Sequence, residues 1–76
     1  MPHIIVKIWP GKSEELKTRL SEQIVKDVMT ILDYREESVS VAIEEVKPQD
    51  WMEKVYNPEI LPYFEKLYKK PGYEPF

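Results

Sequence analysis

Two short runs rich in β-branched residues flank one long stretch of helical apolar spacing, and that order leaves few folds open. The first run is His3–Trp9 (HIIVKIW), closed by Pro10-Gly11, which reads as a strand followed by a turn. Alternation puts Ile4, Val6 and Ile8 on one face and His3, Ile5, Lys7 and Trp9 on the other. The second face is not uniformly polar, so both faces are expected to be at least partly covered. Ser13 then reads as an N-cap, with Glu14 and Glu15 in a first turn that favours anions. Leu16, Leu20, Ile24, Val28 and Leu32 recur every fourth position, which predicts an amphipathic helix from Glu14 to Leu32, about five turns long. After the exit loop Asp33–Glu37, residues Ser38–Val46 alternate again: Val39, Val41 and Ile43 against Ser40, Ala42, Glu44 and Val46. That is a second strand. Strand, long helix, strand is a βαβ unit, with parallel strands and a right-handed crossover expected.

Lys47-Pro48-Gln49-Asp50 breaks the second strand, and the rest is rich in aromatics and proline, from Trp51 to Phe76. Proline suits the first position of a helix and not its interior. The pattern therefore predicts a short turn around Asp50–Tyr56 and a helix from about Pro62 to Lys70, ended by Pro71-Gly72. Ile60, Phe64, Leu67 and Tyr68 would form its buried side. No repeat or linker divides residues 1–76, so a single domain is expected.

That domain would be small. At 76 residues without a cysteine, it has no disulfide to staple it and no thiolate to hold a metal. A two-stranded sheet under one helix leaves strand edges and a sheet face open. Two copies pairing into a four-stranded sheet in a dimer would repair this, so an obligate homo-oligomer is expected. With 11 basic against 14 acidic residues and no basic cluster beyond Lys69-Lys70, nucleic acid is an unsuitable partner. No run of about 18 apolar residues offers a membrane span, and the N-terminus lacks the layout of a signal peptide. A cytoplasmic protein is the default expectation.

The common catalytic constellations are missing. One histidine, His3, cannot supply a His-rich metal site, two glycines make no phosphate loop, and the carboxylates read as solvated helix and strand surface. Pro2 stands apart. A small second residue permits removal of Met1, and a strand begins at once, so the terminus would be held in a sheet rather than frayed. The freed Pro2 would then be a secondary amine on a rigid ring. Desolvation beside apolar groups would lower its pKa and suit it to act as a general base. With Met1 still attached, the same nitrogen is a tertiary amide with no available lone pair.

At this point the chain resembles the 4-oxalocrotonate tautomerases. The resemblance lies in the start MPHIIVKIWPGKS, the helix after it, the strand SVSVAIEEV, Trp51, and the KKPGY ending of helix-tailed members, and it covers nearly the whole chain. It implies a cofactor-independent, metal-free keto–enol tautomerase of 2-oxo acids or similar enols, in which the Pro2 amine moves a proton. It also implies a homodimer or a trimer of dimers. The family uses an arginine after the first turn, a second arginine on the second strand, and an aromatic residue beyond it. Those positions fall here on Lys12, Ser40 and Trp51.

Two of the three depart from the pattern. Arginine grips a carboxylate in a bidentate fork, lysine is a point charge, and serine a neutral donor. The departure favours a monocarboxylate or a phenylpyruvate-like enol over a dicarboxylate. Arg35, in the loop before the second strand, is either a solvated charge or a donor to a neighbouring site. Lys12 is either a substrate contact or a solvated turn residue, and Trp51 either a pocket wall or a packing anchor. His3 reads as a structural or interface residue, pointing to the opposite sheet face from Pro2, and Trp9 as packed against a partner subunit. Two other classes compete: a non-catalytic dimerisation module, and a hydratase or dehalogenase whose protonated proline acts as an acid. A Pro2 pKa well below 7 marks a base, well above 7 an acid.

Overall fold

A computed structural model describes residues 1–75; Phe76 lies outside the described residues. The chain divides into two compact units, residues 1–45 and the segment from Val46 onward.

The first unit is the βαβ element. Strand β1 spans His3–Ile8, helix α1 Glu14–Leu32 and strand β2 Ser40–Glu45. The strands run parallel, in a register that pairs His3 with Ser40 and Ile8 with Glu45. Gly11 carries the turn into α1 at φ 124°, a backbone conformation that a side chain would strain. Ser13 caps α1 as its spacing indicated, its Oγ accepting the Leu16 N–H at 3.2 Å. Asp33 ends the helix in the left-handed region, which aspartate tolerates better than most residues. α1 lies against β2, tied to it by Lys17, whose ammonium meets Glu45 at 2.9 Å and Glu14 at 3.0 Å.

One boundary needs correction here. β2 begins at Ser40 rather than Ser38, because residues Glu36–Ser38 close a 3₁₀ turn in which the Ser38 N–H and hydroxyl both bond to the Arg35 carbonyl. The sheet face carrying His3 and Ile5 is open in the single chain, with Ile5 half exposed. Among the described residues, none of the first unit is fully buried, and Leu16 and Leu20 of the α1 stripe also stand exposed.

The second unit is helical, with other bounds than the sequence predicted. A 3₁₀ turn at Pro48–Asp50 leads into a wide π-helix, Met52–Ile60, and then a 3₁₀ helix, Leu61–Lys66. The Asp50–Tyr56 region is thus largely helix rather than turn, and the last helix ends at Lys66 instead of Lys70. Pro58 and Pro62, four residues apart, each remove an N–H from an α-helical ladder. The backbone answers by widening, so that the Leu61 N–H reaches the Tyr56 carbonyl, and then by tightening, with Pro62 in the first turn as expected. Val55 and Tyr56 are buried, whereas Tyr68, expected inside, is fully exposed; Ile60, Phe64 and Leu67 are half-buried. The Tyr56 ring lies against that of Tyr73, centroids 5.9 Å apart and tilted by 49°.

Candidate active site

Pro2 is anchored before it is chemical. Its carbonyl accepts the Ser40 N–H at 3.1 Å, continuing the ladder one step beyond the strand, and the residue is half-buried. Met1 projects outward, 92% exposed. The terminus therefore lies in the sheet rather than fraying.

The next rung adds a contact that the sequence did not suggest. His3 Nδ1 stands 2.6 Å from Ser40 Oγ, and both side chains are open to solvent. His3 is thus neither packed in a core nor independent of the candidate site. The contact follows from the register, which pairs His3 with Ser40.

The ends of the sheet sort the remaining candidates. Arg35 follows α1 and is bonded through its carbonyl to Ser38, two residues before Ser40, so it belongs to the Pro2 end. Lys12 belongs to the other. It follows β1 and precedes the helix whose Lys17 is bonded to Glu45, the residue paired with Ile8. Six residues of strand separate the two ends by roughly 20 Å. One chain therefore brings Pro2, His3, Arg35 and Ser40 to one end and leaves exposed Lys12 at the far one.

Trp51 belongs to the second unit. Its Nε1 donates to the Tyr73 hydroxyl at 3.0 Å, and the Tyr73 ring in turn lies tilted against that of buried Tyr56, so the half-buried indole is tied to a packed neighbour. Two open concavities run along α1 in the first unit, one of about 460 Å³ lined by Ser21, Val25, Met29 and Glu36, the other of about 290 Å³ beside Lys17 and Ile43. Neither is lined by Pro2, Lys12, Arg35, Ser40 or Trp51. Among the described residues no cluster of three or more His, Asp or Glu is placed to hold a metal ion, and no helix is long and apolar enough to cross a membrane.

Comparison with known proteins bears on the same residues. Residues 2–55 match a family model described as "Tautomerase enzyme". A "Probable tautomerase" of Xylella fastidiosa is 48% identical over 73 residues, covering 96% of this chain and 89% of that protein. Proteins named "Tautomerase PptA" are 40% identical in Cronobacter sakazakii, covering 97% of this chain and 99% of theirs, and 35% identical in Escherichia coli O139:H28, covering 96% and 97%.

Proposed function

The chain belongs to the tautomerase family of isomerases, and from that premise we propose that Pro2, freed by removal of Met1, is the general base of a keto–enol tautomerase acting on a monocarboxylate 2-oxo acid or a phenylpyruvate-like enol. The observation that carries this is the Ser40 N–H bond to the Pro2 carbonyl, which holds the residue to β2. A positioned base is worth about 10²–10⁴ in rate, and position is what that bond supplies. In the reaction, the amine lone pair takes the proton of an enol hydroxyl, the electrons shift through the C=C bond, and the ammonium returns a proton to carbon. The net change is one proton moved from oxygen to carbon with no oxidation or reduction, which accords with the cofactor-independent chemistry that the family resemblance implies.

The substrate's charge is assigned to Lys12, and the strand length makes that a statement about assembly. Lys12 lies roughly 20 Å from Pro2 along β1. Two copies related by a two-fold axis with strands antiparallel would bring Lys12 of the partner subunit to Pro2 and extend the sheet to four strands. The exposed Ile5 and the unburied α1 stripe support such a dimer. Arg35 would flank the same end.

The test begins with intact-protein mass spectrometry to establish loss of Met1, followed by phenylpyruvate ketonisation. Pro2→Ala, a less constrained primary amine, is expected to lose about 10²-fold in kcat/KM with unchanged folding. Full activity in that variant would remove Pro2 from the chemistry.

A further inference from the structure

The family resemblance implies a guanidinium at position 40, and this chain has only a hydroxyl there. A serine hydroxyl is one donor with two lone pairs, and it rotates, so by itself it holds an anion weakly. Here it is not by itself. His3 Nδ1 lies 2.6 Å from Ser40 Oγ, the two residues are partners on the first rung of the ladder, and both are open to solvent. The residue before His3 is Pro2, whose carbonyl the Ser40 amide already holds. Pro2, His3 and Ser40 therefore share one strand end.

We propose that His3 is a positioning residue that turns the Ser40 hydroxyl toward the carboxylate of a 2-oxo acid, so that the His3–Ser40 pair acts as the anion-binding group beside Pro2. The pair has two hydrogen-bonding states. Where Nδ1 carries no hydrogen, Ser40 donates into the ring and presents lone pairs outward, which repel a carboxylate. Where Nδ1 carries a hydrogen, the ring donates to Oγ and the hydroxyl proton is left to point at the ligand. An anion selects the second state, and the resulting chain of donors polarises along its length. The placement of this carboxylate next to the reacting carbon rests on the reading of Pro2 as the base.

Phenylglyoxylate is a suitable probe, being a 2-oxo acid with no enolisable hydrogen, so its binding does not depend on catalysis. Its affinity is measured by NMR titration of the full chain and of four variants, with neutral acetophenone as the control ligand. Ser40→Ala and His3→Leu are each expected to weaken phenylglyoxylate about tenfold, the scale of a hydrogen bond to a charged group, and to leave acetophenone unchanged. His3→Asn, whose amide N–H stands close to where Nδ1 does, should recover affinity to within about twofold, and the double variant His3→Leu/Ser40→Ala should bind no more weakly than Ser40→Ala alone, because the pair acts as a unit. Unchanged affinity in either single variant, additive losses, failure of His3→Asn to recover, or no saturable binding by the unmodified chain would overturn the proposal. Pro2→Ala kinetics separate this from the base assignment. The expected affinities together with a fully active Pro2→Ala would sink the base and leave the pair standing, and the opposite combination would do the reverse.

Discussion

On the proposed reading, Lys12 supplies an ammonium and Ser40 a neutral hydroxyl where the family resemblance implies two guanidinium groups. An exposed ammonium contributes little, but one enclosed in a site shared between subunits would sit in a lower dielectric and count for more. Lys12→Ala is therefore expected to raise KM for an anionic 2-oxo acid about tenfold, equivalent to about 1.4 kcal/mol, and hardly to change a neutral enol. Ser40→Arg should favour a dicarboxylate over a monocarboxylate by restoring the forked donor. Steady-state comparison of neutral, mono- and dicarboxylate substrates checks both, and an equal loss on all of them in Lys12→Ala would mean that Lys12 supports the fold or polarises the carbonyl. At this scale the sequence was informative about identity and poor about contact. The place of Pro2 at the head of a strand could be read from HIIVKIW alone. The partnership of His3 with Ser40 could not, since it depends on the register across the sheet, which no local pattern sets. The indole bond from Trp51 to Tyr73 spans 22 residues, and no local pattern announces it.

Between elements, α1 packs on β2, and the Lys17 ammonium of α1 bonds Glu45 of β2 as well as Glu14 of its own helix. Glu45 foremost, and then Glu14, raise the Lys17 pKa above the usual lysine value of 10.5. A raised pKa stabilises the fold while the amine is charged, so the contribution is complete below about pH 10.5 and fades as the pH climbs through the raised value. Lys17→Met should thus unfold at a lower temperature than the unmodified chain at pH 7, with the difference shrinking above pH 10.5. Thermal unfolding monitored by circular dichroism across that range checks it, and a gap independent of pH would assign the loss to packing of the lysine stem. The βαβ elements were legible because their signals are local: a cap at Ser13, a four-residue apolar period, two alternating runs. The second unit was not. Proline's unsuitability to a helix interior predicts a short turn around Asp50–Tyr56, whereas the backbone keeps helical geometry across Pro58 by lengthening its hydrogen-bond step. The burial of Val55 and Tyr56 follows from that helix, and Tyr68 is left outside because extended backbone begins at Leu67.

For the whole molecule, the distribution of candidates along β1 matters more than any one of them. Pro2 and Lys12 sit at opposite ends of a six-residue strand, and the apolar face between them is open at Ile5. A hydrodynamic mass of a dimer, or a multiple of one, is the expected outcome at micromolar concentration, and a stable monomer would contradict the shared site. Activity decides the matter more directly. Chains carrying Pro2→Ala are mixed in equal amounts with chains carrying Lys12→Ala, unfolded and refolded together, and assayed for ketonisation of phenylpyruvate at low substrate concentration. If each site takes Pro2 from one chain and Lys12 from the other, every mixed dimer holds one intact site, and the mixture should recover roughly a quarter of the unmodified activity, well above the mean of the two variants alone. Activity that stays at that mean would contradict the account, because it would place both residues of each site on a single chain or leave one of them without a part in the chemistry.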